Sequence, residues 1–156
     1  GIIDTIHLLE VARAIQILRS SAIWSLYDLE GAVSWFSDYL KWMTTHPYGI
    51  DERDNGNNHS TCWAMQAAQF ADLTGDAAIK DYCRTFYKEV LLPGQMDSLG
   101  RFPKEINRTK PYNYSLFNLD AMATVCHILS TPEENLFAYE TPDGRGMRLG
   151  LEFLAP

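Results

Sequence analysis

The chain has 156 residues and a net charge of −7, with 46% hydrophobic, 12% aromatic and 21% charged residues. That length is one domain's worth, enough to bury about two thirds of the unfolded surface, so residues 1–156 are read as a single domain. The acidic balance argues against nucleic acid or an anionic membrane as partner. No run approaches the ~20 apolar residues of a membrane span, and the N-terminus lacks a basic-then-apolar signal pattern.

Thr5 to Ser20 is predicted helical, because Leu8, Val11, Ala12, Ile15 and Leu18 form one stripe at helical spacing, with Asp4 as its cap. Leu29 to Thr45 follows through Ala32, Trp35, Phe36, Tyr39, Leu40 and Met43. His46-Pro47 ends it, since proline disfavours helix at the residue before it. Trp24, Trp35 and Trp42 take positions expected of core. Asp51 to Asn58 is a polar run that no core absorbs, and it is read as a loop. Apolar character returns at once with Trp63, Ala67, Phe70 and Ala71 on one helix face, so Asn57, Asn58 and His59 sit where loop becomes helix. That helix stops at Thr74-Gly75-Asp76, a glycine C-cap running into the next N-cap. Ala77 to Leu92 continues through Ile79, Tyr82, Cys83, Phe86, Tyr87 and Val90, and Pro93-Gly94 closes it.

Gln95 to Tyr112 carries glycine and proline without apolar periodicity and reads as a long loop, of the kind that is often functional. Tyr114 to Ser130 is helical through Leu119, Met122, Ala123, Cys126 and Leu129, and Met147 to Leu154 is a short apolar segment. No strand alternation of any length occurs. The fold class is therefore all-α, with helices in hairpin succession. A chain that stops just after a fresh helix is expected to be part of a larger helical toroid. Cys62, Cys83 and Cys126, an odd number and each in a helical pattern, are read as buried thiols.

Two polar clusters carry the chemistry. At the first, the unpaired N–H groups and dipole of a helix N-terminus, together with Asn57, Asn58 and His59, make a carboxylate site; the plainer alternative is that Asn58 or Ser60 caps the helix. In the second, Arg101, Lys104, Arg108 and Lys110 stand against one acid, Glu105, and lead into Tyr112 and Tyr114. Its plainer alternative is a solvated loop anchored by tyrosines. If the hairpins pack side by side, the two loops share one end of the array, and Asn58 and His59 face Arg108 and Tyr114 across a cleft. An amide, an imidazole, a guanidinium and a phenol around one sugar carboxylate suit β-elimination in a polyuronic acid, because neutralising the carboxylate stabilises the carbanion or enolate formed at C5. A phenol has a pKa of about 10 in water, so a nearby cation such as Arg108 is needed to favour the phenolate. Organic cations can do this charge work, and no metal or cofactor is called for. His59 and Cys62 lack a second Cys/His pair for a zinc site. Glu52 and Asp54, which could form a carboxylate pair for glycoside hydrolysis, are read as ordering the loop.

Asn57-Asn58-His59 followed by Trp63, preceded by Trp35-Phe36-Ser37-Asp38-Tyr39-Leu40-Lys41-Trp42, resembles the alginate lyase domain shared by several polysaccharide lyase families. The segment Phe102 to Ser115, with its Arg108-Thr109-Lys110-Pro111-Tyr112-Asn113-Tyr114 core, and Phe117-Asn118-Leu119-Asp120-Ala121 extend the likeness, which runs from about Ile2 to Leu129. The resemblance implies an incomplete (α/α) toroid that cleaves a β-1,4-linked polyuronate, alginate or glucuronan, by elimination. It implies that Asn58 and Arg108 neutralise the carboxylate with help from His59, and that Tyr114 is the acid, and the base as well in a syn elimination. His59 is the alternative base in an anti elimination, and Tyr112 competes with Tyr114 for its role. Asn57, Lys104, Lys110, Tyr112 and Trp63 are expected to bind substrate, and one of the other tryptophans to stack on a sugar ring. The implied partner is an acidic polysaccharide and the implied location extracellular or periplasmic. The competing reading is a non-catalytic helical scaffold or glycan-binding module. The sequence is silent on oligomeric state.

Overall fold

The computed structural model describes residues 1–155, and among them the fold is all-α, as expected. A 3-10 turn, Ile2–Thr5, leads into α1 (Leu8–Leu18), followed by α2 (Leu26–Thr45), α3 (Pro47–Asp54), α4 (Asn58–Thr74) and α5 (Ala77–Phe86). A π-helical turn, Tyr87–Leu91, continues α5 into the short α6 (Leu92–Gln95); α7 (Pro103–Ile106), α8 (Pro111–Leu129) and α9 (Met147–Leu154) complete the chain.

α4 is the hub. Helices α1, α2, α3, α5 and α8 all pack on it, and Ser60 to Ala71 is buried without interruption. The sequence pattern showed one apolar face, whereas the structure buries every face. Alanines at 64, 67, 68 and 71 let neighbours approach closely, and the polar residues among them are buried with partners, as burial requires. The Gln66 amide donates to the carbonyls of Ile2 (2.9 Å) and Cys62 (3.1 Å) and accepts from the Thr5 hydroxyl. The Gln69 amide donates to Gln16 Oε1 at 2.7 Å.

Boundaries differ from expectation where local chemistry extends a helix. α2 begins three residues early because the Ser25 hydroxyl accepts the Asp28 N–H at 3.0 Å. His46-Pro47 ends α2 but also starts α3: His46 Nδ1 accepts the Tyr48 N–H, and Pro47 sits in the first turn, where a missing N–H is harmless. Half of the expected polar loop is therefore helix α3. The π turn leads into α6, where Pro93 lies in the first turn rather than at a terminus. Within the expected long loop, Pro103–Ile106 is helical, and α8 starts at Pro111 instead of Tyr114, again with proline in the first turn. The helix cap at Gly75 (φ 77°) and the Asp76 N-cap fall where the sequence put them. Asp4 does not cap α1; its N-cap residue is His7, with no side-chain bond.

The tryptophans also depart from the core reading. The inner face of α2 is Phe36, Leu40 and Met43, all buried, while Trp35 is 52% and Trp42 41% exposed.

The three cysteines are free and buried. Removal from water pushes the thiols up, Cys62 and Cys83 to about 12 and Cys126 to about 11. A disulfide reagent at about pH 8 is expected to leave all three unlabelled in the folded chain and to label all three after urea unfolding, because the thiolate is the reactive form; rapid labelling of folded protein contradicts this packing. Gly49 seats α3 against the end of α2, since a Cβ there would lie 2.3 Å from the Met43 carbonyl oxygen. Gly49→Ala is expected to destabilise by about 1–3 kcal/mol through forced displacement of α3, read as a lower thermal midpoint.

Candidate active site

The turn between α3 and α4 is built by its own polar groups. Asn57 is the N-cap of α4: its Oδ1 accepts the His59 N–H at 2.9 Å, so neither Asn58 nor Ser60 is the cap. Ser60 closes the turn from the other side, accepting the Gly56 N–H at 2.6 Å. Beneath it, Gln95 donates to the Asn57 carbonyl (3.0 Å), and its Oε1 accepts from Thr61 (3.2 Å) and from the Asn118 amide (2.8 Å). Through that one amide α4, α6 and α8 meet under the site.

The anion that a helix N-terminus favours is supplied by the protein itself. Glu105, 1% exposed, accepts the Asn58 backbone N–H at 2.7 Å on one oxygen and the Asn58 side-chain amide at 2.8 Å on the other. Asn58 is buried with it. A second tie runs from Lys104 Nζ to the Asn55 carbonyl at 2.9 Å. The two polar clusters, about fifty residues apart in sequence, are thus joined in space.

Burying Glu105 leaves the outer surface of its segment cationic. Lys104, Arg108 and Lys110 are exposed, and Arg101 is paired with Asp97 at 2.7 Å. The Arg108 guanidinium carbon lies 4.2 Å from the centroid of the Tyr114 ring, a stacked cation–π pair. The Arg108 N–H donates to the Glu105 carbonyl at 3.0 Å, which places Arg108 one turn from the residue that holds Asn58. Tyr112 is 57% exposed in the first turn of α8.

On the α2–α3 side lies a cleft of about 790 Å³, lined by Tyr39, Trp42, Tyr48, Asp51, Glu52 and His59 among others. His59 Nδ1 is 2.6 Å from Glu52 Oε2, and the other Glu52 oxygen accepts the Ile2 N–H at 3.1 Å. Glu52 orders the loop, through the His59 imidazole and through backbone contacts, its own carbonyl accepting from the Ser60 hydroxyl at 3.3 Å. Asp54 is taken by Arg53 at 2.7 Å. Arg108 and Tyr114 do not line this cleft.

Trp63 requires correction as a substrate-binding residue. It is 1% exposed, its indole N–H donates to the Met43 carbonyl at 3.1 Å, and its ring packs edge-on against Phe86. The aromatic wall of the cleft comes from Tyr39, Trp42 and Tyr48 instead. No cluster of three or more His, Cys, Asp or Glu gathers among the described residues, and no helix among them is long and apolar enough to cross a membrane.

A helical array with two joined polar loops beside an aromatic-walled cleft is the class that this architecture defines. The chain matches the alginate lyase family over residues 1–156 and belongs to it. Among solved structures, the crystal structure of an alginate lyase from Bacteroides ovatus is similar, with a TM-score of 0.93 and 28% sequence identity. The match covers 99% of this chain and 40% of that one. No curated protein sequence matches the chain.

Glu105→Ala is expected to cost about 1–3 kcal/mol, because the Asn58 N–H and amide then stay buried without an acceptor. Urea unfolding reads this directly, and unchanged stability means that the carboxylate is not holding the turn.

Proposed function

We propose that this chain supplies part of the active site of a polysaccharide lyase that cleaves a β-1,4-linked polyuronate, polymannuronate-type alginate or glucuronan, by β-elimination. In this reading residues 1–156 are one helical domain within a longer toroid, and its polymer is met outside the cytoplasm. The supporting observation is the Arg108–Tyr114 stack, 4.2 Å from guanidinium carbon to ring centroid, on the segment that Glu105 and Lys104 tie to the Asn57-Asn58-His59 turn.

The C5 proton of a uronate is weakly acidic while its C6 carboxylate keeps full charge. Arg108, exposed beside the phenol, meets that carboxylate, and Asn58 adds the amide N–H that Glu105 does not use. Donors placed where negative charge develops stabilise the enolate-like transition state. Tyr114 removes the C5 proton as the C4–O4 bond breaks and C4=C5 forms, and it returns a proton to the departing O4. Stacking on Arg108, worth about 0.5–1 kcal/mol at an exposed site, holds the phenol ring for both transfers. Lys104, Lys110, Tyr112 and the Asn57 turn extend the surface along which the polymer lies.

The full-length protein is expected to raise near-ultraviolet absorbance from unsaturated ends with polymannuronate or glucuronan. No rise with either refutes the lyase reading. Tyr114→Phe is expected to lower turnover by about 10²–10⁴-fold while polymer binding persists. Normal turnover by that variant removes Tyr114 from the acid–base role.

A further inference from the structure

We propose that Glu52 is a positioning residue that fixes His59 in the tautomer protonated on Nδ1, so that Nε2 is the proton acceptor offered to the cleft. The argument starts from what each atom can give. An ionised carboxylate only accepts hydrogen bonds, so the 2.6 Å contact between Glu52 Oε2 and His59 Nδ1 places a proton on Nδ1. Glu52 cannot swing away without loss, because its Oε1 is held by the Ile2 N–H at 3.1 Å. Its backbone rides on α3, which Gly49 seats against α2. The pair is partly shielded, with side chains 32% and 23% exposed. His59 Nε2 has no partner among the described residues, and the residue lines the 790 Å³ cleft.

The consequence divides the labour of the Asn57-Asn58-His59 turn. A neutral imidazole whose Nδ1 is spoken for presents a lone pair at Nε2 and has no N–H left to donate to a sugar carboxylate. Carboxylate neutralisation then falls to Asn58 and Arg108, and His59 accepts a proton or a hydroxyl hydrogen bond. Asn58 and His59 are each oriented by a carboxylate of their own, Asn58 by Glu105 and His59 by Glu52.

This inference rests on the lyase reading only for its kinetic test. Nitrogen NMR of the full-length protein with labelled histidine, taken about two pH units above the reference histidine pKa, reads the tautomer without substrate; His59→Gln assigns the signal. The expected wild-type result is a protonated Nδ1 and a bare, pyridine-type Nε2. In Glu52→Gln the single amide oxygen keeps the Ile2 N–H and the NH₂ group turns to Nδ1, so the tautomer reverses. A wild-type ring protonated on Nε2 overturns the proposal even if the variant fails to fold. So does a folded Glu52→Gln protein whose tautomer is unchanged. In the lyase assay the variant is expected to lose about a hundredfold in kcat with KM little changed, kcat being taken per folded molecule as counted in the same NMR spectra so that unfolding cannot mimic the loss. Absence of lyase activity in the wild type beside the expected tautomer sinks the function and leaves the role of Glu52 standing.

Discussion

Glu105 lies buried against the amino end of α4, and the arrangement of the candidate site follows from that placement. An ionised carboxylate loses several kcal/mol on leaving water unless its oxygens are bonded. Here one oxygen takes the Asn58 N–H and the other the Asn58 amide, at the positive end of a seventeen-residue helix. The bond ties α7 to α4, and Arg108, whose N–H donates to the Glu105 carbonyl, follows directly from that tie. It also consumes the anion site that the helix end would otherwise offer to a ligand. Any carboxylate from outside must therefore be met by side chains, not by the bare end of α4.

The second constraint is the burial of α4 itself. Five helices pack on it, which demands small side chains and leaves Gln66, Gln69 and Thr61 needing internal partners. Those partners come from the 3-10 turn at Ile2–Thr5, from α1 and from α6. Polar residues in a fully enclosed helix specify how its neighbours sit, because each misplacement leaves a donor or acceptor unmet. Trp63 belongs to this layer: its indole N–H fixes the end of α2 and takes the ring out of reach of any ligand.

Part of this arrangement is legible in the sequence. Asn57, Asn58 and His59 do stand at a loop-to-helix junction and Gly75 does end α4, whereas Glu105 was only the one acid counted against four cations. What pairwise spacing could not show is which groups meet across the fold. Glu52 lies seven residues before His59, but α3 and α4 are separated by a turn, so no helical periodicity relates them. The α3 helix itself was hidden because Asp51 to Asp54 has no apolar stripe; Gly49 and the proline start hold it in place instead. Trp42 and Trp35 matched the core period of α2, yet a helix packed mainly on one side, against α4, exposes part of any wide stripe. Trp63 erred in the opposite direction, since α4 is enclosed all round and burial there follows from tertiary packing.

Around the candidate site the charges fall on two sides. Lys104, Arg108 and Lys110 line the α7–α8 edge, and Asp51 and Glu52 lie in the aromatic cleft on the α2–α3 side. With a Debye length of about 8 Å at physiological ionic strength, each patch acts on what touches it and little beyond. In the proposed reading a polyanion is held at the cationic edge, while Trp42 and Tyr48 offer the cleft apolar surface for the uncharged C–H faces of a sugar. His59 lies on the acidic side and Asn58, through Glu105, on the cationic one. The adjacent residues Asn58 and His59 are thus tied to the two sides, one by Glu105 and the other by Glu52.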